Sequence, residues 1–410
     1  MRTNGREALP ALHSGSEKSS FSWGRFAVFI CALCVALGSS TVANAGNSSG
    51  DRKAEKTLPA HYLLLVNTAV AFQMNEAKLR QFDKSSYDGI AIAFLHAYDT
   101  SAIPAVSSMD AQMKEWQKYT NKDIWPWVFL NRMLGVDPGE KNYHSDQEYF
   151  KKIAGFDLDD KQGARSDFLR IWRNSLATAR DSGVPGIAFD PEFYNYHHEY
   201  DIGEMARLTG KKPSEVAESL QALGAQMADI AEEEYPDAVL WFFLTGFTHP
   251  GYKTYFGTPY YPTPTYISMG LLDEIVRKKM RLKVLSGGEG SIAYCHHTLE
   301  EMRMSLADRA NAFRATLEKY NGILELAGTL TLFSDSAANK VCQSATASSV
   351  EELEPYLELL LNSYRYNWLW ISASDGGYDA FSPTIAPRFD AVIRHARANA
   401  WTKAHENSSY

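Results

Sequence analysis

The chain has 410 residues, of which 45% are apolar, 22% charged and 12% aromatic, with a formal charge of −8. These proportions exclude a disordered, collagen-like or small disulfide-stapled protein, and the length allows two ordinary domains or one large barrel. No basic run of five or more residues is present, so nucleic acid is not expected as a partner.

The N-terminus carries Arg2, Arg6, Lys18 and Arg25, then an apolar run from Phe26 to Gly38, then small residues at Ala43 and Ala45. That order predicts a secretory signal peptide over residues 1–45, cleaved near Ala45, and a secreted or periplasmic protein. The apolar run is shorter than a comfortable membrane span, so no stable span is expected after cleavage; retention as an anchor is the alternative. Residues 46–58 read as a flexible leader, 59–402 as one folded domain and 403–410 as a disordered tail.

Short apolar, β-branched or aromatic runs begin near His61, Tyr87, Asp123, Val184, Ala238, Leu282, Gly328 and Asn367, and each predicts a buried strand. Amphipathic helices are predicted between them over Met74–Phe82, Met109–Tyr119, Ser166–Arg180, Ser214–Glu234, Leu271–Lys279, Leu299–Tyr320, Val350–Tyr364 and Ala386–Asn399. The clearest stripe is Met302, Leu306, Ala310, Phe313, Leu317 and Tyr320. Strand and helix alternating eight times predict an α/β fold, a single-domain (β/α)8 TIM barrel. The rival, an open doubly wound sheet, lacks its G-x-G-x-x-G after the first strand.

Barrel chemistry gathers where strands end. In Gly186-Ile-Ala-Phe-Asp190 and onward to Glu192, alternation puts Gly186, Ala188, Asp190 and Glu192 on one face and Ile187 and Phe189 on the other. The large apolar pair should meet the helices, leaving two carboxylates at the barrel mouth. Two like charges so close raise one pKa, which suits a general acid. A salt bridge from Asp190 to Arg132 is the structural alternative. Glu289, among glycines in Ser286-Gly-Gly-Glu-Gly290, is the second candidate, or else an exposed turn residue. Carboxylates facing each other across a mouth are what glycoside hydrolysis needs. Tyr194, Tyr196, Trp370 and Tyr378 offer sugar-stacking platforms, and Asn131, Arg132, His96 and Asp375 offer polar contacts.

The run Gly186 to Tyr194 resembles the strand-four signature of chitinase-like glycosidases, D-G-x-D-x-D-x-E followed by an aromatic. The resemblance implies that Glu192 is the general acid, that Asp190 assists it, and that Trp370 floors the sugar site. It departs at Pro185 and Ala188, where the family has acidic residues, and spans about nine residues. It therefore implies a barrel glycosidase without assigning a family.

His197, His198 and Glu199, and the pair His296 and His297, lack metal-ligand spacing and read as solvated polar loops. No serine-hydrolase elbow or phosphate loop is present, and no cofactor is expected. Cys295 and Cys342 follow neighbouring strands and are expected to form a disulfide closing a loop of 46 residues, which contributes about 3–4 kcal/mol on the chain-entropy account. The function expected is an exported glycoside hydrolase acting on a carbohydrate, with Glu192, Glu289 and Asp190 as its carboxylates. A catalytically silent carbohydrate-binding barrel, or a hydrolase of a non-sugar substrate, are the alternatives. The glycan and the oligomeric state are left open.

Overall fold

The structure, a computed structural model, describes residues 61–67, 74–95, 102–130, 164–191, 210–244, 262–289, 298–333, 349–372 and 379–407, with Ile202, Ala206 and His296. The chain divides into Met1–Glu55 and Lys56–Tyr410, and all of these residues lie in the second unit. In chain order the elements are β1 (Tyr62–Asn67), α1 (Glu76–Lys84), β2 (Gly89–Ile92), α2 (Val106–Trp116), β3 (Asp123–Phe129), α3 (Ala164–Ser182), β4 (Gly186–Asp190), α4 (Pro213–Glu234), β5 (Val239–Phe242), α5 (Pro262–Lys278), β6 (Lys283–Ser286), α6 (Leu299–Lys319), β7 (Leu324–Leu326), β8 (Gly328–Phe333), α7 (Leu353–Ser363), β9 (Tyr366–Ser372) and α8 (Ala386–Asn407).

All pairings among these strands are parallel, in the order β7-β6-β5-β4-β3-β2-β1-β9-β8. The two ends of that order are one piece of chain. Only Ala327 separates β7 from β8, and its N–H donates to Ser286 O at 2.8 Å. Residues 324–333 therefore form a single seventh barrel strand that pairs with β6 in its first half and β9 in its second. The ring is closed.

The register gives its shear. From Thr329 the pairing runs through Trp368, Leu64 and Gly89 to Asp123. Carried on at the offsets of the remaining strands it passes Val184, Asp237 and Arg281 and returns to the seventh strand at Asn321, which is 329 − 321 = 8 residues away. Eight strands with a shear of eight define the TIM barrel. The fold expected from the alternating pattern is the fold observed.

In such a ring the inward side chains of alternate strands share a height. Tyr62 and Asp123 fall in one layer; Leu64, Trp125, Trp241 and Ala327 in the next; Val66, Trp127, Phe243 and Thr329 above. Contacts agree. Tyr62 Oη donates to Asp123 Oδ2 at 3.0 Å, and the ring centroids are 5.6 Å apart for Trp125 and Trp241 and 5.7 Å for Trp127 and Phe243. β2 and β4 supply small inward residues, Gly89, Gly186 and Ala188, beside the aromatics of β3 and β5. A Cβ at Gly89 would stand 2.2 Å from Tyr62 Oη and 3.0 Å from Trp125 Nε1, so the tryptophan fits because β2 has no side chain there. Burial and the charge of Asp123 hold the Tyr62 phenol well above its ordinary pKa.

The outer faces meet the helices as alternation requires. Phe189 of β4 lies 5.2 Å from Trp172 and 5.9 Å from Phe168, both on α3. Each fully buried aromatic of this kind contributes about 2–3 kcal/mol.

Three helices differ from their sequence patterns. α5 starts at Pro262, well before Leu271, because Pro262 and Pro264 occupy its first turn, where a missing N–H costs nothing. α8 runs past Asn399 to Asn407. On α6 the buried stripe is Met302, Leu306, Arg309 and Phe313, so Arg309 takes the core position expected of Ala310. The 3.6-residue period favours position 309, and only its charge had made it read as surface. No helix among the described residues is long and apolar enough to cross a membrane.

Candidate functional site

The C-terminal ends of the strands build the site. Asp190 closes β4, pairs in register with Phe129 of β3, and is 2% exposed. Its neighbour two residues back, Ala188, pairs with the inward Trp127, so Asp190 also faces the interior. On β9, Tyr366 contacts Trp241 and Trp368 stacks on Phe243 at 4.3 Å and 16°, which puts Trp370 on the same inward face. With a shear of eight, Asp190 and Trp370 fall in one layer on opposite sides of the ring. Phe129 and Thr331 form the layer above them.

Strand six arrives differently. Gly287 N donates to Phe242 O at 2.6 Å, as a continuing ladder would. Gly288 then takes φ +80, a left-handed conformation that glycine adopts without strain. The turn sends Glu289 N to Phe243 O at 3.1 Å. Phe243 N in turn donates to Phe189 O at 2.9 Å. The backbone of Phe243 thus stands between the chain carrying Asp190 and the chain carrying Glu289. Two strand spacings put those chains roughly 10 Å apart. Glu289 is 5% exposed, so it is not the exposed turn residue that its glycine setting allowed.

Two groups hold this turn. Trp368 Nε1 donates to Gly287 O at 2.9 Å. From the helix side, Arg309 donates to Ala327 O and Ser286 O, both at 2.7 Å, and to Ser286 Oγ at 3.2 Å. Its guanidinium also lies 5.5 Å from the Phe313 ring and 5.3 Å from that of Tyr364. Arg309 is 1% exposed, and among the described residues no carboxylate pairs with it. Carbonyl oxygens and ring faces carry the charge instead. A Cβ on Gly288 would come within 2.7 Å of its Cζ, so glycine is needed there for room as well as for φ. Sequence reading missed Arg309; its place at the 3.6-residue period of α6 was the available signal.

Of the residues singled out from sequence, Asp190, Glu289 and Trp370 are brought to this end of the barrel. Glu192, Asn131, Arg132, Tyr194, Tyr196, Tyr378, His96 and Asp375 lie outside the described residues, as do Cys295 and Cys342. Asn67, the last residue of β1, is buried but falls on the face opposite Tyr62, Leu64 and Val66, toward the helices. His296 is 6% exposed, which corrects its reading as part of a solvated loop; His297 lies outside the described residues. No group of three metal-ligating side chains occurs among the described residues. A hollow of about 10 Å³ beside Phe94, Trp127, Phe129 and Ser175 has room for about one water.

No protein-family model matches the chain, and no curated protein matches it. Solved structures do. A GH18 chitinase from Pseudoalteromonas aurantia is similar at 12% identity and TM-score 0.40, over 80% of this chain and 99% of that one. Endo-glycoceramidase II from Rhodococcus sp., in a ganglioside GM3 complex, is similar at 10% identity and TM-score 0.46, over 80% and 78%. A sugar phosphate isomerase/epimerase from Parabacteroides distasonis ATCC 8503 is similar at 12% identity and TM-score 0.34, over 82% and 93%. Likeness at this level does not extend to residue roles.

Proposed function

We propose that this barrel is a carbohydrate-active hydrolase that cleaves a glycosidic bond at its C-terminal mouth. The observation that carries the reading is the layer shared by Asp190 and Trp370, with Glu289 buried one strand beyond Phe243. Closing the core does not require two acidic groups there. Glycoside cleavage uses carboxylates gathered at such a mouth, beside an aromatic face for the sugar.

In this reading Glu192 is the acid/base that protonates the leaving oxygen. Glu289 is the opposing carboxylate, acting as nucleophile or activating water. Asp190, two residues before Glu192, keeps its neighbour's proton by like-charge repulsion. Tyr194, Asn131, Arg132, His96 and Asp375 contact the sugar. Carboxylates about 5–5.5 Å apart make the enzyme retaining, and about 6.5–9.5 Å make it inverting. Export through residues 1–45 and a Cys295–Cys342 bridge belong to the same proposal.

The test is hydrolysis of a panel of aryl glycosides and oligosaccharides by the wild type and by Glu192→Gln and Glu289→Gln. Each variant is expected to keep the wild-type circular dichroism and to lose about a hundredfold or more in kcat. Full activity in Glu192→Gln ends the acid/base assignment.

One observation favours a second reading, a barrel that binds carbohydrate without cleaving it. Ala188 stands where the resembling signature has an acid, and it pairs in register with Trp127 and Trp241. Binding of an oligosaccharide with no turnover by the wild type selects this reading.

A further inference from the structure

Among the described inward residues at the mouth, Thr331 is one to which the carbohydrate reading gives no role. Thr331 pairs in register with Trp370, as does Val66 on the other side. It is 2% exposed, and its Oγ1 has no hydrogen-bond partner. A buried hydroxyl in that state is destabilising, and valine, of the same shape, would avoid the cost.

Lack of a partner is not by itself the mark of a ligand. Trp241 Nε1 also has none, and it lies deep in the barrel, 5.6 Å from Trp125 and 6.0 Å from Tyr62. Thr329 Oγ1 and Trp127 Nε1 are alike in this and sit in a middle layer. Height sets Thr331 apart. It stands in the layer with Phe129, one step above Asp190 and Trp370. Its burial excludes bulk water as the standing partner.

We infer that the Thr331 hydroxyl is a specificity-determining contact, hydrogen-bonding a hydroxyl of a sugar ring that lies over Trp370. This inference rests on the carbohydrate reading. A threonine hydroxyl both donates and accepts, so it suits a ring hydroxyl in either role. A ring lacking that hydroxyl would leave Thr331 as unsatisfied as it is without ligand, which is a basis for selection.

The test compares the full-length wild type with Thr331→Val and Thr331→Ser. Binding of cellotetraose, chitotetraose, xylotetraose and laminaritetraose is measured by titration calorimetry, and Tm by thermal denaturation. For any of these that the wild type binds, Thr331→Val is expected to weaken binding about tenfold while Tm stays equal or rises. Thr331→Ser, which keeps the hydroxyl, is expected to retain affinity. Wild-type affinity in Thr331→Val overturns the inference and leaves the carbohydrate reading standing. A fall in Tm in Thr331→Val also overturns it, because the hydroxyl then serves the fold. If the wild type binds and cleaves none of the four, the carbohydrate reading fails, and a higher Tm for Thr331→Val marks the hydroxyl as a packing imperfection.

Discussion

Phe243 O accepts the Glu289 N–H at 3.1 Å because nothing on β4 competes for it. Phe243 N donates to Phe189 O at 2.9 Å, so in a parallel ladder the Phe243 carbonyl would pair with the N–H of the residue after Asp190. That residue is Pro191, which has none. A proline beside one candidate carboxylate thereby frees the acceptor that holds the backbone of the other.

Pro191→Ala restores the competing N–H. The Glu289 amide is expected to exchange its hydrogen about five- to tenfold faster, as loss of one net hydrogen bond implies, and turnover on any glycoside substrate to fall. Hydrogen exchange resolved at Gly287–Glu289 reads the first effect. Unchanged exchange there would show that Phe243 O does not choose between the two partners.

Arg309→Lys tests the anchor under the same turn. An ammonium cannot reach Ser286 O and Ala327 O with the planar fork that makes both bonds at 2.7 Å. A loss of about 2–3 kcal/mol is expected, read from the urea midpoint with an unchanged m-value. A midpoint equal to that of the wild type would mean that lysine satisfies both carbonyls.

Gly89→Ala tests the fit of large against small in the barrel. The added Cβ would stand 2.2 Å from Tyr62 Oη and crowd Trp125, at an overpacking cost of about 1–3 kcal/mol or more. Tyr62→Phe removes the bonds to Asp123 Oδ2, at 3.0 Å, and from Trp125 Nε1, at 2.8 Å, leaving the indole N–H buried without the acceptor it now has. A cost of about 1–3 kcal/mol is expected. In the double variant the two effects should not add, since both act on the same phenol.

Acid stability has a local source in α5. Arg277, then Lys278, hold the Glu274 carboxyl down at about pKa 2 against an ordinary value of 4.5. A depressed folded-state pKa stabilises above the unfolded value, and that contribution is lost as pH falls from about 4.5 toward 2. Arg277 and Lys278 are largely in water, so screening keeps the contribution to about 1 kcal/mol or less. Glu274→Gln is therefore expected to flatten the fall of the urea midpoint between pH 5 and pH 2 while lowering it slightly at pH 7. An acid limb as steep as that of the wild type would place the pH sensitivity elsewhere.

The strand-helix alternation and the parity of β4 were legible in the residues. Phe189 meets Trp172 and Phe168 on α3, and Asp190 turns to the interior, as the order Gly-Ile-Ala-Phe-Asp requires. The burial of Arg309 was signalled only by its place on the period of α6 and was not otherwise legible, because a charge on an amphipathic helix reads as solvent-facing until a partner surface is known. The burial of Glu289 was not legible either, since a carboxylate among glycines suits an exposed turn equally well.

The division has a physical cause. Which face of its own strand a side chain takes is local, set by a two-residue period in the covalent backbone, and a sequence displays it directly. How high that side chain stands in the ring depends on register, and register is settled by contacts between distant residues, such as Trp125 over Gly89 and the seventh strand joining β6 to β9. Only the folded ring, with its shear of eight, sets Asp190 level with Trp370 and lifts Thr331 one step above them.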